Sequence, residues 1–168
     1  VRDLPEIYSR VKKAVPGVRM VLAGKGPADS WLRENMPDAL FLGWVNHDRL
    51  PEIYASADML LMPSRFDTFG CVVLEALSTG LPVAAYRSKG PAEIIGNSGC
   101  GFLARGPADM AAAISKYLAE PGSRARYRLA ALERASMYSP DRILEKLLND
   151  TGLPETMIRR SSGKIEAA

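Results

Sequence analysis

The sequence predicts an α/β domain, a Rossmann-like three-layer arrangement with a mostly parallel sheet and additional helices at the C-terminal end. Two observations predict it. Short apolar runs of strand length alternate with helix-length amphipathic segments from residue 3 to about residue 120. The connections between those runs are long enough for the crossovers that parallel strands require.

The first segment, 3–15, carries Leu4, Ile7, Tyr8 and Val11 at helical spacing. An α/β domain places a strand before such a helix, so the sequence reads as a piece of a longer chain. VRMVLAG (18–24) is a continuous apolar run closed by Gly, the pattern of a buried parallel strand. A helix over 30–36 and a strand over 39–43 follow. Residues 47–57 form a helix whose Pro51 suits a first turn, and 58–63 a third strand. GCVVLEALSTG (70–80) is a helix ended by Gly80. LPVAAY (81–86), a short helix over 90–96 and a weaker strand over 101–104 complete the alternation. Three helices, 107–119, 123–137 and 139–149, then run in succession. Residues 1–150 are read as one domain, and 151–168, poor in apolar residues, as a mobile tail.

A chain of 168 residues buries a core of ordinary size without cross-links. Cys71 and Cys100 are its only cysteines and lack a neighbouring His or cationic run, which fits reduced thiols in a cytoplasmic protein. There is no apolar run of membrane-spanning length and no signal-peptide pattern. The net charge of +3 arises within 121–168, which carries nine basic and six acidic residues. Arg124, Arg126, Arg128 and Arg134 do not share one helical stripe, so a solvated helix surface is expected, with anionic lipid at the inner membrane surface as the alternative. Nucleic acid is not expected.

In such a sheet ligands bind beyond the carboxyl ends of the strands. One such end is GKGPADS, which lacks the spacing of a phosphate loop or dinucleotide fingerprint; Gly24 and Gly26 serve a turn and would also admit a ligand to the main chain. More informative is PSRFDTFGCVVLEALSTGLPVAA (63–85). On a wheel over 72–79 the apolar residues cover most of the circumference, so deep burial is expected, while Glu75 falls on the remaining polar edge with Cys71, Ser78 and Thr79. Glu75 is either a core carboxylate satisfied by amides or an Arg, or an acceptor for ligand hydroxyls such as those of ribose. The preceding Thr68, Phe69 and Gly70 should leave free amides at a helix N-terminus, where an anion is stabilised. Asp67 either caps that helix or grips neutral hydroxyls beside the anion. Sugar hydroxyls, phosphate and ribose together describe a nucleotide sugar.

This stretch resembles the signature of the retaining GT-B glycosyltransferases, a Glu, seven residues and a second Glu within a Pro-Ser…Gly-Phe-Gly…Glu-Ala…Gly-x-Pro-Val frame. The likeness extends from GKGP through FLGWVNHDRLPEIYASADMLLMPS to KGPAEIIGNSGCGFLA. Asp67 replaces the first Glu, and Asp-Thr-Phe-Gly is similar to a subgroup with mannosyl- and sulfoquinovosyl-type transferases. The resemblance implies the donor-binding half of a two-domain enzyme that moves a hexose from a nucleoside diphosphate to a hydroxyl of a glycolipid or polysaccharide. It implies that Asp67 binds the donor sugar, that the backbone of Phe69, Gly70 and Cys71 meets sugar and phosphate, and that Glu75 holds the ribose diol. Gly43, Trp44 and Val45 would line the base, although Trp44 in isolation reads as a packing residue. No cofactor is expected beyond the donor, and no Asp-x-Asp pair is present to hold a metal. The acceptor domain and the diphosphate-neutralising cations would lie ahead of residue 1, so this chain alone is expected to bind without turnover. His47 reads as a polar residue at a helix start. A non-catalytic nucleotide-sugar module and an epimerase of the same architecture are the rival readings.

Overall fold

The computed structural model describes residues 1–151. They divide into one compact unit over residues 1–135 and a second that begins at Ser136. The first unit runs α1 (Leu4–Ala14), β1 (Val21–Ala23), α2 (Asp29–Asn35), β2 (Leu40–Gly43), a short 3-10 turn, α3 (Leu50–Ala55), β3 (Leu60–Met62), α4 (Cys71–Ser78), β4 (Val83–Tyr86), α5 (Lys89–Ile95), β5 (Gly101–Ala104) and α6 (Pro107–Ala119). It ends with α7 (Arg124–Ser136), whose last residue already belongs to the second unit.

All strand pairs are parallel, as the alternation predicts, and they form two ladders. One is β1-β2, and the other is β3-β4-β5 with β4 central. Every residue of β4 is buried, as a strand covered on both faces should be. The strands are shorter than the apolar runs because only the laddered residues count: of 18–24, Val21 to Ala23 pair with β2. Among the described residues no strand pairing joins β1-β2 to β3-β4-β5. Val21 of β1 is 46% exposed and β3 is half-buried.

The first helix holds the two ladders together. Ile7 and Val11 pack with Ala84, Tyr86 and Ala104 and with Met110, Ala111 and Ile114 of α6. Leu4 and Tyr8, on the adjoining side, pack with Leu32 and Met36 of the α2 segment. Leu61 and Val18 touch both clusters. Ile7 is fully buried, and truncating such a residue to Ala costs about 2–5 kcal/mol.

The arginines of α7 are not merely a solvated surface. Arg124 pairs with Asp58 at 2.8 Å, and Arg134 donates to the carbonyls of Glu93 and Ile94 at the end of α5, where a cation suits the free carbonyls. Arg128 lies against Gly80, whose hypothetical Cβ would come within 2.8 Å of the Arg128 Cγ. In the second unit α8 spans Pro140–Thr151, with the Ser139 hydroxyl accepting from the Arg142 amide. The tail read from Thr151 lies, past that residue, outside the described residues.

Candidate functional site

Two groups of candidate residues gather at carboxyl ends of strands. At the end of the β1-β2 ladder the Gly24 amide donates to the Gly43 carbonyl at 2.7 Å, which joins the two loops. Both residues have positive φ, +118° and +68°, a region that favours Gly. A side chain at Gly43 would meet Lys25 Cε at 3.3 Å, so Lys25 belongs to this corner although the sequence reading did not select it. Gly26 is open, Val45 half-buried, and Trp44 is 76% exposed. The packing expectation for Trp44 therefore fails: the loop turns its ring outward past the strand end.

The second group follows β3. Asp67 Oδ1 accepts from the Phe69 amide at 3.1 Å, the local turn that Asp favours. This corrects two expectations. The N-cap of α4 is Gly70 and not Asp67, and the Phe69 amide is not among the free donors. Gly70 sits at φ +88°, and a Cβ there would lie 3.0 Å from Ile94 Cδ1. The amides of Cys71 and Val72 open α4 without an acceptor one turn back, whereas those of Val73 and Leu74 already donate to the Gly70 carbonyl at 2.9 and 3.2 Å. Thr68 and Cys71 are exposed, and Phe69 is 54% exposed.

What holds this loop in place is α5. The Gly90 amide donates to the Asp67 carbonyl at 3.1 Å, and a Cβ on Gly90 would fall 2.4 Å from the Phe69 carbonyl carbon. Only Gly permits this approach. Sequence reading missed Gly90, although the Gly-Pro pair at 90–91 in a predicted helix start was a visible signal. Beside it, the Ser88 hydroxyl is buried with no hydrogen-bond partner among the described residues. Arg65 of the same loop pairs with Asp3 at 2.9 Å, and Asp3 also accepts from the Tyr86 hydroxyl at 2.6 Å. The Tyr86 bond, followed by the Arg65 contacts, holds the Asp3 carboxyl below its ordinary value against the opposing effect of burial.

The helix α4 is less buried than its composition suggests. Val73, Ala76 and Leu77 are buried, but Val72 is 41% exposed because its turn opens at the sheet edge. Glu75 is half-buried on this helix, and Oε2 accepts from the Tyr54 hydroxyl of α3 at 3.0 Å. Tyr54 is thus the satisfying partner, in place of the amide or Arg that sequence reasoning considered. Burial first, and the Glu75 bond second, push the Tyr54 hydroxyl up to about 12, so it remains a donor at neutral pH. Among the described residues no hydrogen bond joins the Gly24–Val45 group to the Asp67–Glu75 group.

Other features lie apart from these groups. His47 is exposed at the start of the 3-10 turn before α3. Both cysteines are free, Cys71 exposed and Cys100 buried. Among the described residues no cluster of three His, Cys, Asp or Glu is placed to hold a metal, and no helix is long and apolar enough to cross a membrane. A cavity of about 180 Å³ lies at the opposite, amino ends of β3 and β4, lined by Tyr54, Asp58, Gly80, Tyr117, Arg124 and Arg128 among others.

Parallel strands alternating with helices define an α/β protein, with the open amides of α4 and the Glu75 carboxylate near the carboxyl end of β3. Residues 1–120 match the family model described as glycosyl transferases group 1, and the chain belongs to that family. It is 36% identical over 86 residues to a GDP-mannose-dependent alpha-mannosyltransferase of Corynebacterium glutamicum, covering 51% of this chain and 21% of that protein. It is 31% identical over 164 residues to a D-inositol 3-phosphate glycosyltransferase of Mycobacteroides abscessus, covering 88% and 36%. Among solved structures, HepE of Anabaena in complex with UDP superposes with a TM-score of 0.74 at 21% identity, over 89% of this chain and 44% of that one. A TarM variant of S. aureus, also with UDP, gives 0.78 at 23% identity over 88% and 32%. These likenesses establish a fold shared with GT-B glycosyltransferases. The chain spans about a fifth to a third of the length of these curated relatives.

Proposed function

We propose that this chain is the donor-binding half of a retaining glycosyltransferase that moves a hexose from a nucleoside diphosphate to a hydroxyl acceptor on a glycolipid or polysaccharide. The observation that carries the reading is the amino end of α4, where Gly70 opens the helix at the carboxyl edge of β3 with Glu75 little more than one turn behind its mouth. The donor diphosphate meets the amides of Gly70, Cys71 and Val72 and the positive end of the helix dipole. As the bond from the sugar C1 to the diphosphate oxygen breaks, negative charge grows on that oxygen, and these fixed donors stabilise it. Asp67 keeps Oδ2 for sugar hydroxyls while Oδ1 holds the Phe69 amide. Glu75 accepts from the ribose diol, and the Gly24, Gly26, Gly43, Trp44 and Val45 corner receives the base.

The relatives named above are sugar transferases, one of them GDP-mannose-dependent, and the HepE structure holds UDP. These support a transferase over a sensing module or an epimerase. The Asp-Thr-Phe-Gly form of the motif supports the mannosyl- and sulfoquinovosyl-like subgroup and retention of configuration. In the longer enzyme an N-terminal domain supplies the acceptor site and the remaining diphosphate cations, on the cytoplasmic side and against a lipid surface when the acceptor is a glycolipid. The chain by itself binds donor without transferring it. Glu75→Gln tests the reading: calorimetry should show donor and free nucleoside diphosphate weakened alike, by about 1.5–3 kcal/mol for a charge-assisted bond. Unchanged affinity for both would remove the ribose role.

A further inference from the structure

We infer that Tyr54 is a positioning residue for the ribose carboxylate, fixing Glu75 through one oxygen so that the other is presented to the ligand diol; this rests on the ribose role proposed for Glu75. A glutamate has three side-chain torsions, and at a half-buried helix edge nothing in its own backbone selects one orientation. The Tyr54 hydroxyl reaches Oε2 from a different helix, 21 residues earlier in the chain, at 3.0 Å. A tyrosine is suited to this task because its ring has only two torsions and its phenol offers one proton to one acceptor. With Oε2 engaged, the carboxylate plane is set and Oε1 retains both acceptor sites.

Around this bond the structure is organised for a strap rather than for a core. No residue of α3 is fully buried, and the Tyr54–Glu75 bond is a directional contact between α3 and α4 beside the half-buried Ile53 and Tyr54. Among the described residues no other side chain bonds the Glu75 carboxylate, so loss of the phenol frees it to rotate. The consequence is confined to one part of the ligand. A nucleotide without ribose hydroxyls has nothing to gain from an oriented Glu75.

The test uses UDP, GDP and ADP, each beside its 2′,3′-dideoxy counterpart, titrated calorimetrically into the chain and its variants. For whichever base binds, Tyr54→Phe should weaken the ribonucleotide about three- to tenfold, the range of one hydrogen bond, and leave the dideoxy nucleotide unchanged. In a Glu75→Gln background Tyr54→Phe should add no further loss, and 3-fluorotyrosine at position 54, which keeps the donor, should restore affinity. Equal weakening of both nucleotides by Tyr54→Phe would mark a general structural role and overturn the inference. So would an unaffected ribonucleotide in a variant where Glu75→Gln alone is damaging. If Glu75→Gln leaves the ribonucleotide and dideoxy affinities as they were, the ribose reading itself falls, and the inference with it.

Discussion

Replacing Gly90 with Ala should damage both stability and nucleotide binding, because it separates the two elements that frame the proposed phosphate site. The added Cβ would stand 2.4 Å from the Phe69 carbonyl carbon, 2.6 Å from its oxygen and 2.8 Å from its Cα. Ordinary contact begins near 3.4 Å, so the Phe69 backbone must retreat by about 1 Å. No flexible side chain is available to absorb that shift. Overpacking of this kind costs about 1–3 kcal/mol, and Ala recovers up to about 1 kcal/mol through its helix propensity. With the full propensity gain the net loss is up to about 2 kcal/mol, a melting temperature lower by up to about 4–8 °C for a domain of this size. Gly122→Ala, at a position with nothing within 4 Å, is the control. The assay is thermal unfolding of both variants, followed by titration with the nucleoside diphosphate that the parent binds. A Gly90→Ala melting temperature equal to or above the parent's would refute the close approach, since the propensity gain alone would then be operating.

Asp67→Asn keeps an oxygen for the Phe69 amide but loses the charged acceptor, so in the full-length enzyme nucleoside diphosphate affinity and melting temperature should hold while kcat/KM falls about tenfold, or 1.4 kcal/mol in the transition state. Steady-state kinetics with the donor sugar checks it, and an unchanged kcat/KM would leave Asp67 with the turn alone. At Asp3 the pH dependence has a defined sign. A carboxyl held below its unfolded value of 3.8 adds stability above that value and loses it as the pH falls through the lower folded one. The gap in melting temperature between the parent and Asp3→Asn should therefore be widest near neutrality and close below about pH 4; a gap independent of pH would show that the Tyr86 and Arg65 contacts do not depend on the charge.

Periodicity made most of the fold legible. Each expected strand and helix has a counterpart, because apolar runs ending in Gly or Pro and amphipathic spacing are local signals. Less legible was what depends on contact between distant segments. The exposure of Val72 and Trp44 reflects where a helix and a loop open at the sheet edge, which a helical wheel does not encode. Tyr54 lies 21 residues before Glu75 and carries no motif of its own, so only the packing of α3 beside α4 identifies it. Gly70 reads in the sequence as a residue that lets a ligand approach, whereas its left-handed conformation and its closeness to Ile94 of α5 are visible only in the structure. Asp67 shows the limit most plainly. Its residue type announced either a cap or a ligand contact, and its bond to the Phe69 amide replaces the cap with a local turn that is compatible with the ligand contact.

The most direct measurement of the central claim is an amide-resolved NMR titration of this chain with UDP, GDP and ADP. The account predicts that the nucleotide that binds shifts the amides of Gly70, Cys71 and Val72 most strongly, with Gly43 and Trp44 following through the base. It also predicts that Gly80, Arg124 and Arg128, around the cavity at the opposite strand ends, remain where they were. Shifts confined to that cavity, with the amino end of α4 silent at saturation, would contradict the account.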